Sequence, residues 1–219
     1  AFIFCCVFLF SQIFNTRDLN LGLMRAFVAV DLPEDVKNEL VNAQKQLSPT
    51  AAAQFRCKRN VQSDKVRFAA ARISLVKDFH LTLKFLGDVT PAEVEVVKSC
   101  LSSVRFKSFQ AAIGGIGVFP SESYVRIVWA GVEPEDDVVK LQKLVDNALE
   151  KEFQKEKGFN PHLTLARVKF VSDKNVFLQQ LHQIKVKGVK FAVDALKLKK
   201  STLSREGAVY EDLAVYAGN

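Results

Sequence analysis

The distribution of apolar positions divides the chain before any single residue is considered. Residues 1–10 read AFIFCCVFLF, an unbroken apolar run. That is half of the ~20 residues a membrane-crossing helix needs, though it matches the length of a signal-peptide core. No basic stretch precedes it and no small-x-small cleavage site comes after it. Arg17 and Asp18 are the only charges before Met24. A new pattern starts there: Met24-Arg25-Ala26-Phe27-Val28-Ala29-Val30-Asp31, a short apolar segment ending in an acid. We expect residues 1–23 to be an appended leader outside the fold, with 24–219 forming one domain. A genuine signal or anchor is the alternative.

From Met24 onward the period alternates between that of strands and that of helices. Residues 27–30 are predicted to be a strand. Leu32-Pro33-Glu34-Asp35 then opens a helix, with proline in its first turn and acids at its positive end. Val36, Leu40, Ala43 and Leu47 share one face of it. Strands are predicted at 73–76 and 79–86, joined by Lys77-Asp78. Thr90-Pro91-Ala92-Glu93 has the form of a capping box, with a helix running to about 104. Strand residues at 109–113 and 116–119 are interrupted by Gly114-Gly115, read as a bend or bulge rather than a phosphate loop. A strand at 124–132, a helix at 134–153, a strand at 162–170, a helix at 175–184 and strands at 189–199 and 209–216 complete the chain. Strands in antiparallel pairs interspersed with helices indicate an α+β fold.

Composition narrows the picture less than the pattern does. Hydrophobic residues make up 48% and charged residues 25% of the 219, an ordinary globular mixture that excludes disordered and fibrous classes. The net charge is +7. Within residues 51–72, however, Arg56, Lys58, Arg59, Lys65, Arg67 and Arg72 face Asp64 alone, so +5 of the total is local. This stretch is either an RNA-contacting arm or a solvated insertion, about 53–71. The four cysteines form no C-x-x-C and none lies near a histidine at ligand spacing, so free thiols in a reducing, cytoplasmic setting are expected.

The candidate chemistry comes from a repeat. His80-Leu81-Thr82-Leu83 and His162-Leu163-Thr164-Leu165 are identical, 82 residues apart, each in a predicted strand that comes after a strand and a long helix. Two of only three histidines occupy equivalent places. On a strand, residues i and i+2 share a face, so His80 projects with Thr82 and His162 with Thr164. If the two halves pack about a pseudo-two-fold axis, these four side chains line one groove. Two hydroxyls suit phosphate oxygens. Two imidazoles suit a general acid and a general base on opposite sides of phosphorus. His182 has no partner threonine and is expected to be a surface or structural residue.

The motifs and their flanks resemble a known family. The carrying segments are MRAFVAVDLP at 24–33, FHLTLKFLG at 79–87, GIGVFP at 115–120, VRIVWAGV at 125–132, PHLTLARV at 161–168 and LKKSTL at 198–203. Together they are similar to the two-histidine (2H) phosphoesterases, in particular the RNA 2′,3′-cyclic phosphodiesterases, also called 2′-5′ RNA ligases. The resemblance runs from residue 24 to 216. It implies a bilobal α+β fold, with two pseudo-symmetric antiparallel-sheet lobes, outer helices and a central cleft. It implies metal-independent, cofactor-free hydrolysis of RNA 2′,3′-cyclic phosphate ends to 2′-phosphomonoesters, with reversible 2′-5′ RNA ligation as a further activity. His80 would be the proton donor and His162 the proton acceptor. Thr82 and Thr164 would bind the phosphate, with Arg167 a further candidate, and Phe119 and Tyr124 are candidates to stack a base. The implied partner is an RNA or oligonucleotide with a cyclic phosphate end. No membrane and no obligate protein partner is expected for a monomer. Another cyclic nucleotide phosphate as substrate, or a nucleotide- or RNA-binding module without turnover, are the alternatives. The extra basic stretch and residues 1–23 have no counterpart in the family pattern.

Overall fold

The computed structural model describes residues 22–47, 65–67, 71–204 and 207–219. Almost all of the expected leader, and residues 53–64 and 68–70 of the expected insertion, lie outside the described residues. No helix among the described residues is long and apolar enough to cross a membrane.

The architecture is α+β, with two antiparallel sheets. In chain order the elements are β1 (Met24–Asp31), α1 (Glu34–Gln46), β2 (Lys65–Arg67), β3 (Ala71–Leu75), β4 (His80–Val89) and α2 (Pro91–Leu101). They continue with β5 (Phe109–Ser121), β6 (Tyr124–Glu133), α3 (Glu135–Ala148), β7 (His162–Val171), α4 (Lys174–His182), β8 (Lys190–Val193), β9 (Ala195–Ser204) and β10 (Gly207–Ala217). One sheet has the order β10-β9-β1-β4 and the other β2-β3-β7-β6-β5-β8.

Local sequence explains most of these elements. β1 buries Ala26 to Val30 in unbroken succession because it is flanked by β9 and β4 and covered on both faces. Helix α1 turns Val36, Leu40, Ala43 and Leu47 into the core, all fully buried. Each such leucine contributes about 2 kcal/mol by leaving water. Helix α2 starts on the expected capping box. The Glu93 amide donates to the Thr90 hydroxyl at 3.2 Å, and the Thr90 amide donates to the Glu93 carboxylate at 2.7 Å. Gly114-Gly115 marks a register shift in β5, as a bulge requires.

Three expectations are revised. The strands flanking Lys77-Asp78 do not pair: β3 joins β7, β4 joins β1, and the link crosses from one sheet to the other. The single strand expected at 189–199 is two, β8 and β9, divided at Asp194 and placed in different sheets. Helix α3 ends at Ala148 rather than 153, and the chain then turns. In the first two cases the chain changes strand partner, which local sequence does not record. Part of the basic stretch, Lys65–Arg67, is a strand, paired with β3.

The two halves repeat closely. The buried positions of α1 (Val36, Glu39, Leu40, Ala43, Gln44) correspond one for one, 102 residues on, to those of α3 (Val138, Leu141, Gln142, Val145, Asp146). Their polar members cross between lobes. The Gln44 amide donates to the carbonyls of Val76 and Leu165, at 2.7 and 2.8 Å. Asp146 receives the Lys84 ammonium of β4 and, at 3.0 Å, the Glu156 amide, while Lys84 also donates to the Gln154 carbonyl at 2.7 Å. Each helix thus ties the segment leading into one H-x-T strand to the strand of the other.

Candidate active site

Both motifs begin their strands and share one register. In the first half, Asp31 lies opposite His80 and Ala29 opposite Thr82. In the second, Gly131 lies opposite His162 and Trp129 opposite Thr164. Each pairing then skips a residue at the same place. Val28 meets Lys84 and Val128 meets Ala166, so Leu83 and Leu165 are the extra residues of matching bulges. The histidines and threonines are half-buried, whereas Leu81, Leu83, Leu163 and Leu165 are in the core. This is the alternation expected from the sequence.

The bulge at Leu165 also decides the position of Arg167. Three residues beyond Thr164, it would face away in a regular strand. The extra residue restores the phase, so exposed Arg167 lies on the Thr164 face, opposite Ile127 and Ser74. Its guanidinium and the His162 ring both bear electrostatically on His80, so the two motifs lie within electrostatic range of one another.

Each imidazole is set between aromatic rings. His80 lies 4.9 Å from Phe27 and 5.0 Å, edge-on, from Tyr210. His162 meets Phe119 edge-on at 4.9 Å, with Trp129 at 6.3 Å. Trp129 spreads over Gly117, where any Cβ would fall 2.3 Å from the indole. Only glycine permits that close approach.

The two histidines differ in their polar partners. His162 Nδ1 lies 2.9 Å from the Asn160 carbonyl. A carbonyl only accepts, so Nδ1 carries the proton and Nε2 keeps its lone pair. Burial lowers the His162 pKa, and the Asn160 contact opposes this in part. His80 Nδ1 is buried without a hydrogen-bond partner among the described residues. Burial, then the Lys199 charge, lower its pKa to about 4.

Lys199 belongs to a cluster that the sequence pattern does not single out. Lys197 and Lys199 on β9 each bridge Asp31 and Asp212, over 2.5 to 2.9 Å. Burial works against charge on Lys199, but its hydrogen bonds to Asp212 and Asp31 outweigh it and raise its pKa. The available signal was the alternation of Leu196 and Leu198, in the core, with Lys197 and Lys199. It places both lysines on the face opposite the core. Tyr210 and Phe27 carried no such signal, since a strand aromatic is most often packing.

Of the expected base-stacking residues, Phe119 is brought to His162. Tyr124 stands at the β5–β6 turn with Arg126 4.6 Å from its ring centroid, and no ring contact among the described residues ties it to either histidine. His182 is exposed and pairs with Glu122. Cys100 is a free thiol on α2. Among the described residues no three His, Cys, Asp or Glu come together as metal ligands.

Comparisons with known proteins show the family of the chain. A family model described as the 2′-5′ RNA ligase superfamily matches residues 61–203. The RNA 2′,3′-cyclic phosphodiesterase of Methanocaldococcus jannaschii is 31% identical over 192 residues, covering 86% of this chain and 97% of the relative. That of Thermotoga maritima is 32% identical over 193 residues, covering 87% and 93%. The crystal structure of TT0787 of Thermus thermophilus superposes with a TM-score of 0.67 at 26% identity, over 89% of this chain and 97% of that one. E. coli LigT in apo form, at 21% identity and a TM-score of 0.65 over 90% and 98%, shares the fold. Two H-x-T strands in one register, in a chain matched along most of its length to these relatives, make it a member of the 2′-5′ RNA ligase superfamily.

Proposed function

We propose that this chain hydrolyses the 2′,3′-cyclic phosphate at an RNA end to a 2′-phosphomonoester, without a metal. The observation that carries the reading is the 2.9 Å contact of His162 Nδ1 with the Asn160 carbonyl. The Asn160 carbonyl fixes the proton on Nδ1, leaving Nε2 as a base in a cleft shared with a second imidazole. The relatives named RNA 2′,3′-cyclic phosphodiesterase, at 31 and 32% identity, support the choice of substrate.

In this reading each group of the two motifs has one role. His162 Nε2 takes a proton from water as the water oxygen attacks phosphorus. The P–O3′ bond breaks in line, and His80 gives a proton to the leaving O3′. The Thr82 and Thr164 hydroxyls donate to the phosphoryl oxygens. Arg167, on the Thr164 face, offsets their charge. A 5′ hydroxyl in place of water would give a 2′-5′ linkage by the same step. Both histidines come from one polypeptide, so the reading needs no second chain.

The test is turnover of an oligonucleotide ending in a 2′,3′-cyclic phosphate, with EDTA present. A 2′-phosphomonoester is expected. A 3′-phosphomonoester would reverse the assigned bond cleavage, and binding without product would leave only a binding module.

The histidine pKa values also set a pH dependence. The base must be neutral, so activity falls as pH drops through the lowered pKa of His162. The acid must be protonated, so kcat/KM, which reports the free enzyme, falls as pH rises above about 4 at His80. Its optimum is therefore expected on the acid side of the ordinary imidazole pKa of ~6.5. In the complex, the phosphate's negative charge favours protonated His80, so the descending limb of kcat lies at higher pH than that of kcat/KM. Coincident limbs, or a kcat/KM optimum in the alkaline range, would contradict these protonation states.

A further inference from the structure

The face of the larger sheet that carries His162 and Thr164 does not end at the catalytic groups. Registers extend it sideways onto β3 and β2. Arg167 lies opposite Ser74, and Ser74 opposite Lys65. One row further on, Phe170 lies opposite Arg72, and Arg72 opposite Arg67. A second irregularity, between Arg72 and Ile73, leaves Lys169 as the extra residue and keeps Phe170 in phase with Arg167. The opposite face is the buried one: Ala71, Ile73, Ala166 and Val168 are all in the core.

This row structure places basic and aromatic groups together in the open. Arg72 is exposed, and its guanidinium carbon lies 5.6 Å from the centroid of the Phe170 ring. Phe170, next to last in β7 and paired with β3 alone, is 52% exposed. Arg167 and Lys169 are exposed beside it. From His162 to Phe170 the strand covers about 20 Å, at ~3.3 Å per residue and allowing for the two bulged residues.

We propose that this surface is the track for the RNA strand leading to the cyclic phosphate. It rests on the hydrolytic reading above and specifies its substrate as an oligonucleotide rather than a mononucleotide. Single-stranded nucleic acid is held by positive groups along its backbone and by flat groups under its bases. Arg72 and Arg167 supply the former. The Arg72–Phe170 pair supplies the latter, since a base stacks on an aromatic ring or on a guanidinium plane. Lys65 and Arg67 continue the basic register positions to the sheet edge.

The test compares a mononucleotide 2′,3′-cyclic phosphate with an oligonucleotide carrying the same end. Arg72→Ala and Phe170→Ala each raise KM for the oligonucleotide by about tenfold. Both leave kcat/KM for the mononucleotide unchanged. Arg72→Ala also makes the salt dependence of oligonucleotide affinity shallower by about 0.7 in the log–log slope. Equal effects on the two substrates, or none on either, overturn the track while the hydrolytic reading stands. Anisotropy of a labelled single-stranded RNA reads the track without turnover. An affinity unchanged by both variants overturns the track, whereas weakened binding by an enzyme that turns over neither substrate supports it and overturns the reaction.

Discussion

Replacing His162 by alanine lowers kcat by about 10²- to 10⁴-fold, the range for a positioned acid–base group. KM for the cyclic phosphate end changes far less, because the threonines and Arg167 still hold the phosphate. His80→Ala has a loss of the same order, since the leaving O3′ then departs without a proton. The double variant loses far less than the product of the two single losses, because the two groups act in one step. Both rings pack against aromatics, His80 on Phe27 and Tyr210, His162 on Phe119. Steady-state rates are therefore read together with the thermal midpoint. A variant that stays folded with a rate near that of the parent removes its histidine from the assigned role.

Lys84→Met costs about 3–5 kcal/mol of folding stability, because it removes the ammonium partner of buried Asp146 and leaves its carboxyl group the Glu156 amide. Lys84 is 2% exposed and Asp146 6%, and the pair joins β4 of one lobe to α3 of the other. Asp146→Leu has a loss of the same order, since the Lys84 ammonium keeps only the Gln154 carbonyl. A loss of this size is a large share of the ~5–15 kcal/mol that holds an ordinary domain folded. The double variant Lys84→Met/Asp146→Leu recovers most of it, because neither charge is then buried. Urea denaturation measures all three. Single variants with the midpoint of the parent would show that the pair contributes nothing, and a double variant no better than the singles would show that the cost is packing rather than charge.

Much of the fold was legible because it depends on local rules. The cap at Thr90, the buried stripe of α1 and the glycine bulge in β5 each follow from a few neighbouring residues. The sheet assignments were not legible. Nothing near Lys77-Asp78 or Asp194 records that the chain passes from one sheet to the other, because the partners, β7 and β1 in one case and β5 and β1 in the other, are distant in sequence. The cluster of Asp31, Lys197, Lys199 and Asp212 was missed for the same reason, since it gathers three strands.

The sequence by itself determined the pairing of each histidine with its threonine, because side chains two apart on any strand share a face. It also determined that Leu81, Leu83, Leu163 and Leu165 turn inward. It could not determine the facing of residues beyond Leu83 and Leu165, since strict alternation puts Lys84 outward with His80 and Thr82, and Arg167 away from Thr164. The tertiary structure inverted both. A bulge at the same place in each half adds one residue to the strand, which sends Lys84 into the core to meet Asp146 and returns Arg167 to the face of Thr164. A bulge is fixed by how two strands match along their length. Its position was therefore set by β1 and β6, not by the motifs themselves.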